Sequence, residues 1–263
     1  MRTDNNSFSS NDHNSRAVLS ALSQRFREPL LGTTFGSLRF DVSLAGLLSR
    51  HAKGEPMPTL REVEIGQSKF SCPCHACAFF HSRDEEYELL LPFSKAGVEA
   101  GERLFQVVDK SHLAERRQRL ADSGIDVVGA EQKGLLELRP WESAYLRGSR
   151  FDQDAMLELI QQVLTEGRTK GFGMTRLWAN MEWALNDLPG VHDIVEYETR
   201  LNKFLPGYDD VVVCTYDLNK FSAPVVMDIM RTHPHVIIGG VLQENPFYVP
   251  PEEFLSELSR RTH

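Results

Sequence analysis

From Ser71 onward the chain alternates short apolar runs with amphipathic stretches, and that rhythm sets the expected fold. Ala76 to Phe80 is a continuous apolar run of strand length, and Asp210-Val-Val-Val-Cys-Thr-Tyr-Asp217 is the clearest buried strand in the chain. Arg103 to Asp109, Val127-Val128, Leu135 to Leu138, Thr175 to Asn180 and Val236 to Ile238 read as further strands. Helical spacing fills the gaps. One helix covers roughly 84 to 100, where Pro92 is expected to break or kink it. Another runs from about Ser111 to a stop at Ser123-Gly124. A third starts at an Asp152 cap, carries Met156, Leu159, Ile160, Val163 and Leu164 on one face, and closes at Gly167. Val191 to Leu205, a Ser222-capped stretch to Thr232, and a last segment opened by Pro250-Pro251 complete the set. Continuous apolar strands separated by helices predict a three-layer α/β architecture, a mostly parallel sheet with helices on both faces. In such sheets ligands bind beyond the carboxyl ends of the strands.

Residues 1 to 70 lack that rhythm and are expected to form an N-terminal extension to a domain over 71 to 263. Residues 1 to about 14 are rich in Asn, Ser and Asp and read as disordered. Ser15 is placed to cap a short helix bearing Val18, Leu22 and Phe26, ended by Glu28-Pro29. A second runs from Asp41 to about His51, before the linker Lys53-Gly-Glu-Pro-Met-Pro58. The loop between these helices is too long for a helix-turn-helix, and no basic recognition helix follows. An arm that docks on a partner or on the chain itself is expected, not direct nucleic-acid binding.

Composition narrows the class. With 263 residues, 41% of them hydrophobic, the chain can bury a sizeable core. Its formal charge of −8 opposes surface-wide attraction to nucleic acid or anionic membrane. No apolar run approaches the roughly 20 residues of a membrane span, and the N-terminus lacks signal-peptide order. Four cysteines, three of them within 72 to 77, are poor disulfide scaffolding and predict a reducing, cytoplasmic setting.

The order strand, loop, helix, Gly-Glu, strand ending in an acid resembles RecA- and KaiC-like ATPases. A phosphate loop there needs glycines for backbone approach, a lysine for the outer phosphates and a hydroxyl for magnesium. The matching place reads Phe80-His-Ser-Arg-Asp-Glu-Glu-Tyr87, with no glycine, no lysine and three acids. ATP hydrolysis by the usual means is therefore not expected. Motifs along the chain are similar to the MEDS family of sensory domains: His75-Ala-Cys-Ala-Phe-Phe-His-Ser82, Pro92-Phe93 to Gly101-Glu102, Asp109, Met181-Glu-Trp183, Glu198 with Leu201-Asn202, Cys214-Thr-Tyr-Asp217, His233-Pro-His235 and Asn245-Pro-Phe-Tyr-Val-Pro250. The resemblance covers about 71 to 255. It implies a degenerate RecA/KaiC-like domain that has lost its phosphate loop and senses small organic molecules, such as hydrocarbon derivatives, in signalling or transcription control. Two features depart from the family pattern: His81 stands where a tyrosine is common, and Cys72 and Cys74 add thiols before the motif.

A crevice at the strand ends would be lined by His81, Ser82, Asp109, Trp141, Glu142, Asn180, Met181, Glu182, Trp183, Tyr216 and Asp217, aromatic and polar groups suited to a small, partly apolar ligand. Cys72, Cys74, His75 and Cys77, with His233 and His235 if their strands are neighbours, offer soft ligands for zinc at the opposite edge of the sheet. The bland counterparts are core aromatics with satisfied polar tips, and cysteines acting as small core hydrophobes. The expected function is a non-catalytic sensor that signals through a protein partner or a change of homo-oligomer. A zinc- or redox-switched regulator and a degenerate ATP-binding enzyme stand as the alternatives.

Overall fold

The computed structural model describes residues 61–261; the helices expected near 15–28 and 41–51, and the linker after them, lie outside the described residues. The described chain opens with a hairpin, β1 (Glu62–Ile65) and β2 (Ser68–Ser71), and then enters β3 (Cys74–Phe80). Next come α1 (Arg83–Glu99), β4 (Arg103–Val108), α2 (Leu113–Asp122), α3 (Val127–Gln132) and β5 (Leu136–Pro140). The second half runs α4 (Gln153–Thr169), β6 (Thr175–Asn180), α5 (Ile194–Phe204) and β7 (Val211–Asp217). It ends with α6 (Ala223–Thr232), β8 (His235–Ile238), β9 (Val241–Glu244) and α7 (Pro251–Arg261).

Seven strands form one sheet in the order β5-β4-β6-β7-β3-β8-β9. All neighbours pair parallel except β9, which returns antiparallel to β8. That return is a two-residue turn through Gly239 and Gly240, both with positive φ (58° and 75°), the conformation that glycine enters without steric cost. β3 lies between β7 and β8, and its register sets His75 beside Val212, Cys77 beside Cys214 and Phe79 beside Tyr216. Side chains alternate across a strand. Cys74, Ala76, Ala78 and Phe80 therefore join α1 residues such as Leu90 and Phe93 in one core, while Cys77 and Phe79 join α4, α5 and α6 in another.

Three expectations change. Pro92 lies inside a continuous helix: it is exposed, and so is Glu88, whose carbonyl loses its donor where water can replace it. Gly97 then lets α1 approach the sheet, for a Cβ there would stand 2.7 Å from the Cδ of Arg176. Val127-Val128 opens a short helix and not a strand, because Asp126 accepts from Gly129 N–H and caps it. The β1–β2 hairpin, upstream of the expected start of the domain, buries Val63 and Ile65 in the α1-side core. Thr175–Asn180 forms as expected, and Asp152 caps α4 by accepting from Ala155 N–H.

Candidate functional site

The carboxyl ends of β3, β6 and β7 converge on a small crevice of about 20 Å³, lined in part by Phe80, Ser82, Asn180, Tyr216 and Lys220. Its floor is the altered phosphate loop. Ser82 caps α1, its Oγ accepting from Glu85 N–H at 3.2 Å, and the Glu85 carboxylate accepts from His81 N–H at 2.8 Å. The helix N-terminus, the feature that attracts a phosphate in nucleotide-binding folds, is thus occupied by the chain's own anion. Glu86 stands where the phosphate-binding lysine of the motif would fall. It is buried, accepts from Trp178 Nε1 at 2.6 Å and Thr215 Oγ1 at 2.8 Å, and lies 3.7 Å from Nη2 of Arg116. The Arg116 guanidinium in turn sits 3.5 Å from the Trp178 ring centroid. The charge in this loop has become packing for α1, α2, β6 and β7. Lys220 bridges the mouth, donating to Glu182 at 2.6 Å and lying 3.5 Å from Asp217.

The crevice brings together Ser82, Asn180, Glu182, Tyr216 and Asp217 of the residues expected there, leaves out Glu142 and Met181, and gains Lys220 and Glu86. His81 is exposed beside it, and Asn219 Nδ2 donates to its carbonyl. Asp109 caps the turn after β4 through Ser111. Trp141 is buried and donates to the carbonyl of Asn180, while Trp183 is fully buried against Tyr145 and Phe151. Neither indole lines the crevice, and Asp109 does not line it either. A larger hollow of about 420 Å³ follows one exposed face of α4, lined among the described residues by that helix alone, with no convergent chemistry.

A second cluster lies on the α5 side of the sheet. His75 from β3, Glu198 from α5, Cys214 from β7 and His233 from the α6–β8 junction bring one ligand atom each within 4.8 Å of one another, all fully buried. Only His75 and His233 of the six expected metal ligands are in it. Cys77 is on the same face, its Sγ donating to the carbonyl of His235 at 3.7 Å. Cys72, between β2 and β3, packs in the core on the other face of the sheet with Cys74, and His235 faces Phe70; alternation along β3 and β8 sends Cys74 and His235 there. Burial pushes the Cys72 thiol up to about 12, with Glu102 adding to the rise. Glu198, present in the sequence as part of a family motif and not among the expected metal ligands, is buried on the inward face of α5. The spacing Ile194, Glu198, Asn202 is a run of i, i+4 positions on that face, so a carboxylate in an apolar stripe was the available signal. Burial would raise the Glu198 pKa, but the imidazoles of His233 and His75 outweigh it and hold the group at about 2. Burial, with Glu198 adding to it, pushes the Cys214 thiol well above its usual range. Tyr216 connects cluster and crevice: it lines the crevice, and its hydroxyl donates to Glu198 Oε1 at 2.9 Å.

The family model described as "MEthanogen/methylotroph, DcmR Sensory domain" matches residues 74–234, more than half of the chain. The chain belongs to the MEDS family. It is also similar to the transcriptional repressor DcmR of Methylorubrum extorquens, 24% identical over 160 residues, covering 60% of this chain and 57% of that one. The chain thus spans little more than half the length of this curated relative. Among solved structures, the KaiC-like protein PH0186 of Pyrococcus horikoshii superposes with a TM-score of 0.50 at 17% identity, over 67% of this chain and 79% of that one. The MEDS domain of this chain therefore has a KaiC-like, mostly parallel fold, and its family is a sensory one. Among the described residues no helix is long and apolar enough to cross a membrane.

Proposed function

We propose that this MEDS domain is a non-catalytic regulatory sensor whose input site is the crevice at the ends of β3, β6 and β7. The observation that carries this reading is the Glu85 carboxylate on the backbone of the old phosphate loop, with Glu86 behind it. A polyphosphate would meet those anions, and the carboxylates of Glu182 and Asp217 at the mouth are already bridged by Lys220. Phe80 and Tyr216 give the crevice an apolar wall, and Asn180, Glu182 and Lys220 give it polar points, which suits a small organic molecule with one polar group. Its volume of about 20 Å³ is far below that of a ligand pocket, so binding requires the Lys220 bridge to Glu182 and Asp217 to part. Parting that bridge moves the ends of β6 and β7 relative to each other, and this is the event passed to a partner protein or to a second copy of the chain. A transcription protein is the partner we favour, because the DcmR relative is named a repressor.

A thermal-shift screen of short alcohols, thiols and halogenated hydrocarbons, run beside Mg-ATP, tests the reading. A ligand at about 100 times its Kd adds roughly 2.7 kcal/mol, which for a domain of this size is a rise on the order of 5–10 °C. The reading expects such a rise with one of the organic compounds and none with Mg-ATP. A rise with Mg-ATP, or ATP turnover by the pure protein, would overturn it.

A further inference from the structure

We infer that His75, Glu198, Cys214 and His233 form a closed tetrahedral zinc site inside the domain, a site separate from the sensory crevice and independent of what that crevice binds. Four observations carry this.

The first is the orientation of the imidazoles. Asn202 Nδ2 donates to the carbonyls of Glu198 and Thr232, so its Oδ1 is the atom turned to His75. His75 Nδ1, 2.9 Å away, must then carry the proton. The Nδ1 of His233 lies 2.9 Å from the carbonyl of Ile229, an acceptor only, so that nitrogen also carries a proton. In their neutral forms both rings therefore turn an Nε2 lone pair toward Glu198 and Cys214. This is the arrangement by which proteins fix the tautomer of a metal-binding histidine.

The second is the state of those inner atoms. His233 Nε2 is fully buried and makes no hydrogen bond, although Glu198 Oε2 lies only 3.4 Å away. The nitrogen is aimed into the cluster and not along a line to the oxygen. Tyr216 occupies the other carboxylate oxygen, leaving Oε2 to face the same point.

The third is metric. Zinc bonds of about 2.0–2.2 Å to nitrogen or oxygen and about 2.3 Å to sulfur, set at tetrahedral angles, place N and O about 3.3–3.4 Å apart and sulfur about 3.5–3.6 Å from either. Here His75 Nε2 and His233 Nε2 lie 3.3 and 3.4 Å from Glu198 Oε2. Cys214 Sγ lies 3.6 Å from His75 Nε2 and 3.7 Å from Glu198 Oε2. All four lie within about 0.1 Å of those values, and the remaining two edges, from His233 Nε2 to His75 and to Cys214, are no longer than 4.8 Å.

The fourth is charge. The ring centroids of His75 and His233 are 4.1 Å apart, and two imidazoliums beside one carboxylate would leave a net positive charge in the core. One Zn²⁺ with a thiolate, a carboxylate and two neutral imidazoles sums to zero. Thiolate and imidazole ligands also favour zinc over magnesium or calcium. With four protein ligands and no solvent access, the site is structural. It pins α5 and the start of β8 to the central strands, beneath the tyrosine that lines the crevice.

The test is elemental analysis of the full chain, purified without chelators and with a tag that holds no histidine. The expected result is a single zinc per chain, retained through gel filtration. In Cys214→Ser and His233→Ala zinc should fall by about tenfold or more, while Cys72→Ala, on the other face of the sheet, keeps it. If the cluster variants do not fold, cobalt exchanged into the wild-type chain gives an independent reading. The visible bands of a tetrahedral ion together with a thiolate-to-cobalt charge-transfer band support the site. A chain without zinc, iron in its place, a six-coordinate cobalt spectrum, or equal loss of zinc from Cys72→Ala would overturn it.

Discussion

Replacing Glu86 by glutamine isolates the charge that took the place of the phosphate-binding lysine. The amide keeps an acceptor oxygen for Trp178 Nε1 and Thr215 Oγ1, now 2.6 and 2.8 Å from the carboxylate, so the change removes little more than the negative charge. What it leaves behind is Arg116, 1% exposed, whose other side-chain acceptor is the Oε1 of Gln106 at 3.2 Å. Breaking a buried pair by removing one partner costs about 3–5 kcal/mol. The Trp178 and Tyr87 rings beside the guanidinium, with centroids at 3.5 and 4.9 Å, soften that loss and favour its lower end. About 3 kcal/mol in a domain of this size lowers Tm by roughly 6–12 °C. The assay is urea unfolding of Glu86→Gln, Arg116→Met and the double variant. If the cost is an uncompensated charge, the double variant, which carries neither, should be more stable than Glu86→Gln alone. Glu86→Gln within about 1 kcal/mol of wild type, or a double variant no better than the single, would refute the reasoning.

Three further outcomes follow from the same geometry. Burial, against a hydrogen bond from Thr175 N–H, raises the Asp210 pKa from 3.8 to about 6. A group whose folded pKa is raised contributes stability that is fully present below about pH 4 and lost as pH rises through about 6. Asp210→Asn should therefore stabilise the chain by about 2–3 kcal/mol at neutral pH and much less at about pH 4, read from unfolding curves across that range. Asn202→Ala removes the acceptor that orients His75 and should weaken zinc retention about 10–100-fold against a competing chelator, with the metal ligands themselves intact. Gly97→Ala drives a Cβ to within 2.7 Å of Arg176 Cδ, and Arg176 is held by Glu102 at 2.6 Å and the carbonyl of Phe93 at 2.7 Å, so it cannot swing aside. Overpacking costs about 1–3 kcal/mol and the gain in helix propensity returns at most about 1, so the denaturation midpoint should fall.

The layered fold was legible because parallel strands buried on both faces write themselves as continuous apolar runs, as Ala76 to Phe80 in β3 and Val211 to Cys214 in β7 do. Short edge elements were not. β1, β2 and β9 are four residues each; β1 alternates exposed with buried positions, β2 buries none fully and β9 only Leu242, a weaker signal than a continuous run. Pro92 misled because the rule that proline ends helices assumes a carbonyl that cannot find water, and Glu88 is exposed. At the site, the clustering of Cys72, Cys74 and Cys77 in sequence pointed to thiols that the fold does not bring into the His75–Glu198–Cys214–His233 group. Which face of β3 a cysteine takes is settled by alternation, and the partner thiol, Cys214, comes from a strand far along the chain that only the sheet order makes a neighbour. The fold-back of Glu85 was legible, because Ser82-Arg-Asp-Glu85 has capping-box spacing, but that it takes the His81 N–H and not that of Ser82 is fixed by the local geometry of α1.

The crevice over Tyr216 and under Lys220 is proposed to receive a small organic ligand. The most direct measurement is untargeted mass spectrometry of the small molecules released when the natively purified full chain is denatured, run in parallel on Lys220→Trp, which plugs the mouth. The account predicts one small organic compound carried by the wild-type chain and absent from the plugged variant. A nucleotide released in its place, or a compound retained equally by both chains, would contradict it.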